Sequence, residues 1–90
     1  MQSFKIEARI IVARNLTPNV ASVAASLDER TGHVHVTYYL YDSSTEDDEE
    51  WRELTVGELV AAFPVIRSAT SSFRPIADMK MHSDIVFNRE

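Results

Sequence analysis

Three clusters in this 90-residue chain have side-chain types and spacings that could do chemistry. Residues 46–50, EDDEE, are five consecutive carboxylates directly ahead of Trp51, with Asp42 shortly before them. His33 and His35 stand two apart, and Tyr39 and Tyr41 repeat that spacing further along. Paired carboxylates can serve as general acid and base when one is withdrawn from water, but an unbroken, solvated run is poorly suited to that work. Two histidines two apart on a strand point the same way and could offer two ligands; zinc requires more, and His82 is the sole remaining histidine. The acidic run lacks the glycine and the alternating oxygen ligands of a calcium-binding EF-hand loop. No histidine sits in a recognisable nucleophile motif with the serines, and Gly32 and Gly57 are too far apart for a phosphate-cradling loop. The chain is therefore expected to be no enzyme and to need neither metal nor cofactor.

The charge pattern is more informative. The formal net charge is −5, and it divides as +1 over residues 1–41, −6 over residues 42–53 and zero over residues 54–90. The middle block holds Asp42, Glu46, Asp47, Asp48, Glu49, Glu50 and Glu53 against Arg52 alone. Such a surface repels nucleic acid and anionic membranes, so neither is expected as its partner. Helix capping explains part of the run, since one or two carboxylates near a helix start contribute about 0.3–1 kcal/mol each. Further acids at three- and four-residue spacing mainly repel one another. The surplus suits an anionic docking surface for a basic protein, with Trp51 as its anchor or, equally, as a core residue. Tyr39 and Tyr41 would lie beside it, either as interface aromatics or packed beneath a loop.

The elements that must position these groups follow from periodicity. Phe4, Ile6, Ala8, Ile10 and Val12 alternate with Lys5, Glu7 and Arg9, which predicts a first strand with one wet face. NLTPN then makes a turn or loop. VASVAASL, residues 20–27, suits helix or strand by composition, and the DERTG turn after it favours a strand in a hairpin. HVHVTYYLY alternates clearly, with Val34, Val36, Tyr38 and Leu40 on one face and His33, His35, Thr37, Tyr39 and Tyr41 on the other. A helix is predicted over about residues 45–62, capped by Ser44 or Thr45, carrying a stripe of Val56, Leu59, Val60 and Phe63, and stopped by Pro64. Short strands are expected around residues 69–74 and 84–88. The sum is one α+β domain spanning residues 1–90: a two-layer sandwich with a mostly antiparallel sheet of four or five strands and one main amphipathic helix on one face. No cysteine is present, so packing alone must stabilise it, and the first residues carry charges that break any signal-peptide core or membrane span. A cytoplasmic location is expected.

A strand ending YYLYDSSTEDDEE, a helix closing ELVAAFP and a terminal DIVFNRE together resemble small acidic immunity proteins of bacterial polymorphic toxin systems, including contact-dependent growth inhibition. The resemblance runs from about Ile6 to the end of the chain. It implies a protein made beside a toxin, often a nuclease, whose domain it binds and blocks. A nuclease presents a basic groove to phosphate, and clustered carboxylates can occupy such a groove. Asp42, Glu46, Asp47, Asp48, Glu49 and Glu50 would then face toxin lysines and arginines, with Trp51, Tyr39 and Tyr41 as anchors. Two other classes stay open at this point: a structural or homodimeric assembly protein pairing through a sheet edge, and a metal- or ligand-binding domain using His33 and His35.

Overall fold

The computed structural model describes residues 2–81 and 84–89. The elements run α1 (Gln2–Arg14), β1 (Val20–Asp28), β2 (His33–Leu40), α2 (Glu46–Ala62), β3 (Ser68–Pro75), a 3-10 turn (Ile76–Asp78) and β4 (Ile85–Asn88). The sheet has four strands in the order β3-β2-β1-β4. β1 is antiparallel to both β2 and β4, while β2 and β3 are parallel, joined through α2 as parallel neighbours require. The α+β two-layer arrangement and the mostly antiparallel sheet are as expected.

The first segment corrects the sequence reading, because residues 2–14 form a helix and not a strand. Positions 4, 8 and 12 belong to both a period of two and a period near 3.6, so they cannot discriminate. The discriminating positions are Ile6 and Ile10, which a strand would bury, and Ile11, which a helix would bury. Ile11 is buried, whereas Ile6 and Ile10 are 58% and 49% exposed. The expectation of one main helix is corrected with it: α1 and α2 both pack on the same side of the sheet.

That side is the core. Phe4, Ala8, Ile11 and Val12 of α1 and Leu59 of α2 meet Val23 and Ala25 of β1, Val34, Val36, Tyr38 and Leu40 of β2, and Val86 of β4. Phe4 packs on Phe63 with ring centroids 5.1 Å apart. The β2 alternation behaves as its sequence predicts, and Tyr39 falls on the opposite face, where it is buried with Ala24 and Ile85 and packed by Met79. On α2, Leu59 is buried and Val56 and Phe63 are half-buried, but Val60, expected in the apolar stripe, is exposed; Thr55 is buried on the inner face instead.

Two local details make predictions. Gly32 ends the β1–β2 turn at φ +72°, and a Cβ there would stand 2.6 Å from the Val65 carbonyl oxygen. Its own carbonyl accepts from Arg67 N–H at 2.7 Å, fastening the turn to the start of β3. Gly32→Ala should therefore cost about 2 kcal/mol, the left-handed penalty plus a backbone clash, read as a lowered midpoint in urea unfolding.

Tyr38 presents the opposite case. Its phenol is buried and its oxygen makes no hydrogen bond. Burial pushes its pKa up, partly offset by neighbouring Thr55 and Arg52. The Thr55 hydroxyl donates to the Trp51 carbonyl at 2.9 Å and does not complete a bond to the phenol. Tyr38→Phe removes an unsatisfied hydroxyl and keeps the ring that meets Phe73 edge-on at 5.8 Å. It should leave stability unchanged or raise it by up to about 1 kcal/mol. A loss of stability in thermal unfolding would contradict this account.

Candidate functional site

The acidic segment becomes a surface through the way α2 is capped and turned. Thr45 is the N-cap: its hydroxyl accepts from Asp48 N–H at 3.2 Å, and the Asp48 carboxylate accepts from Thr45 N–H at 2.9 Å. This reciprocal pair is a capping box with aspartate in the third helical position. At 100° per residue, Asp48, Arg52, Thr55 and Leu59 share the inner face of the helix. The remaining acids point outward: Glu46, Asp47, Glu49, Glu50 and Glu53 are exposed, and so is Asp42 just ahead of the helix.

Arg52, the one basic residue of the segment, is half-buried with its guanidinium 4.7 Å from the centre of the Phe73 ring. The compensating charge is thus drawn toward the sheet while the carboxylates stay outside. Trp51 and Tyr41 flank this surface at 39% and 43% exposure. The carboxylate oxygen of Asp42 accepts from Ser43 N–H at 3.2 Å, and the main chain of Asp42 is bound in both directions by the Asn19 side-chain amide.

Two residues expected in the binding surface are placed elsewhere. Asp48 is only 3% exposed. One carboxylate oxygen accepts from the Thr17 hydroxyl at 2.5 Å, and the other from Asn19 Nδ2 and Thr45 N–H, each at 2.9 Å. Burial raises its pKa, but these hydrogen bonds together outweigh that effect and hold it below the ordinary aspartate value. Asp48 therefore ties the loop after α1 to the start of α2. The T-x-x-D spacing of a capping box was the sequence signal for it. Tyr39 lies on the sheet face away from both helices, so it cannot join an anchor beside the carboxylates.

His33 and His35 do share the outer sheet face, as their spacing predicts. Their ring nitrogens are engaged by hydroxyls of the parallel neighbour β3. His33 Nδ1 pairs with Ser68 Oγ at 2.7 Å and its Nε2 with Thr70 Oγ1 at 3.0 Å; His35 Nδ1 pairs with Thr70 Oγ1 at 2.6 Å and its Nε2 with Ser72 Oγ at 3.4 Å. The ladder stitches an edge strand to its neighbour. His82 lies outside the described residues, and among the described residues no three His, Cys, Asp or Glu side chains gather as metal ligands.

Periodicity did not point to the apolar side chains on the outside of the helical layer. Ile6 and Ile10 on α1, and Trp51, Leu54 and Val60 on α2, are five of the eight large apolar residues that stand exposed among the described residues. Beside Leu54, a shallow groove of about 420 Å³ is lined by Glu50, Glu53, Leu54, Gly57, Glu58 and Ala61. Glu58 is held in place by Arg14 Nη2 at 3.1 Å and Asn15 Nδ2 at 3.2 Å.

Fold and surface together define a small α+β protein whose distinctive chemistry is displayed as negative charge on one helix. The chain belongs to the MafI2 immunity protein family, whose model matches residues 5–90. Membership bears out the resemblance to bacterial toxin immunity proteins, a class typically without catalytic activity. No curated protein matches the chain significantly. Among the described residues, no helix is long and apolar enough to cross a membrane.

Proposed function

We propose that this protein neutralises a cognate bacterial toxin domain by binding it through the exposed carboxylates at the start of α2, and that the toxin is a nuclease acting in the cytoplasm. The observation that carries the reading is the segregation of charge on α2. Asp42, Glu46, Asp47, Glu49, Glu50 and Glu53 face outward, while Arg52 is turned against Phe73. A nuclease groove must be basic to hold phosphate, and carboxylates presented from one helix can match it and speed the encounter. Trp51 and Tyr41 are the aromatic anchors beside the charge. No catalytic group of this chain takes part; inhibition comes from occupancy.

The test uses the toxin domain encoded beside this chain's gene. The purified protein should form a stoichiometric complex with it and suppress its cleavage of RNA or DNA, and high salt should weaken the complex. A complex that forms with unchanged affinity from low to high salt would remove the electrostatic part of the reading.

A further inference from the structure

The exposed carboxylates account for attraction but not for the composition of the second half of α2. Gly57 sits on its outer face, and a Cβ built there meets nothing within 4 Å. A glycine in a helix interior destabilises it relative to alanine, and neither a turn nor packing within this chain requires one here. Its immediate surroundings form the groove described above. The floor is apolar and low, made by Leu54, Gly57 and Ala61, and the rim carries Glu50, Glu53 and Glu58. The bonds from Arg14 and Asn15 hold Glu58 in position.

We infer that this groove receives a basic side chain of the toxin domain, a lysine or arginine. Its methylene stem lies on Leu54, Gly57 and Ala61 while its charged head meets the glutamates of the rim. The charge of the rim selects the occupant: Glu58 is already paired with Arg14, and the carboxylates of Glu50 and Glu53 beside an apolar floor complement an amphipathic cation, whose stem and head differ in the same way. An uncharged apolar partner would desolvate Glu50 and Glu53 without supplying a counter-charge. The bare Cα of Gly57 lets the stem and the backbone behind it approach the helix closely. The inference rests on the proposed carboxylate-mediated reading and extends it along α2, from long-range attraction at residues 46–50 to a seated contact at residue 57.

The experiment measures binding of the neighbouring-gene toxin domain, with its catalytic residue disabled, to four proteins by calorimetry. Gly57→Ala should fold more stably and bind within about threefold of the unaltered protein, because one methyl is accommodated. Gly57→Leu, whose side chain points to solvent and leaves the core intact, should fill the groove and weaken binding by at least about tenfold. Circular dichroism and thermal unfolding verify that it is folded. A folded Gly57→Leu that binds like the unaltered protein overturns the groove. The fourth protein, in which Glu46, Asp47 and Glu49 are serine, separates the two ideas. If it alone loses affinity, the carboxylate reading stands and the groove falls. If neither variant loses affinity, or the unaltered protein does not bind, both fall.

Discussion

Asp48→Ala is expected to lower folding stability by about 3 kcal/mol, the largest loss foreseen for any acidic residue of the chain. The substitution removes a charged acceptor, leaves Thr17 Oγ1 and Thr45 N–H without this partner, and reduces Asn19 Nδ2 to the carbonyls of Asp42 and Ser43. Hydrogen bonds to charged groups contribute about 1.5–3 kcal/mol each, with further loss when a buried donor is left unmet. Asp48→Asn should cost less, about 1 kcal/mol. Its carbonyl can replace the oxygen facing Asn19 and Thr45, and its amide can donate to the Thr17 hydroxyl, which reverses its role.

The two variants also differ in how they respond to acid. The folded-state pKa of Asp48 is depressed, so its stabilising contribution is complete above the ordinary aspartate value and is lost as pH falls through the lower, folded value. That places the loss below about pH 4. The unaltered protein should lose stability more steeply than Asp48→Asn as pH falls through this range, measured as unfolding midpoints in urea at a series of pH values. Parallel pH profiles would show that the carboxylate charge does not contribute in the folded state.

The second large effect lies on the outside of the same helix. Replacing Glu46, Asp47, Glu49 and Glu50 with serine should slow association with the toxin domain by about 10- to 100-fold at low salt. The dissociation rate should change much less, because exposed charges act mainly over the distance of approach. At about 1 M salt, where the screening length is only about 3 Å, the two proteins should associate at similar rates. Stopped-flow fluorescence using Trp51 provides the rates. Stability should barely move, since the lost helix-dipole attraction is offset by relief of repulsion among neighbouring acids, and the capping box through Asp48 remains. Equal association rates at low salt would show that recognition occurs on another surface.

These expectations depend on which acids are inside and which are outside, and the linear order of the run does not reveal that. Asp48 has the same residue type as Asp47 and stands between acids that face water. It turns inward because Thr17 and Asn19, 31 and 29 positions earlier, arrive beside it. A capping box could be read from Thr45 and Asp48 alone, but the second half of the network comes from the loop after α1. Tyr39 likewise alternates correctly, yet its burial depends on Met79 and Ile85, which the path after β3 and the pairing of β4 bring across the outer face.

What the sequence by itself determined is local in origin. The alternation of β2, the two ends of α2, the turn at Gly32 and the placing of nearly all excess charge in residues 42–53 each depend on neighbours within a few positions. Such features remain legible because propensity, capping and repulsion act over that range. The tertiary structure decided whether residues 2–14 became a strand or a helix, since positions 4, 8 and 12 satisfy both periods and only burial of Ile11, with Ile6 and Ile10 left in water, separates them. It also joined β2 to β3 in parallel through α2, drew Arg52 onto Phe73 and sent Asp48 inward. Each of these outcomes depends on contacts between segments distant along the chain, and their free energy appears only once the layers have packed.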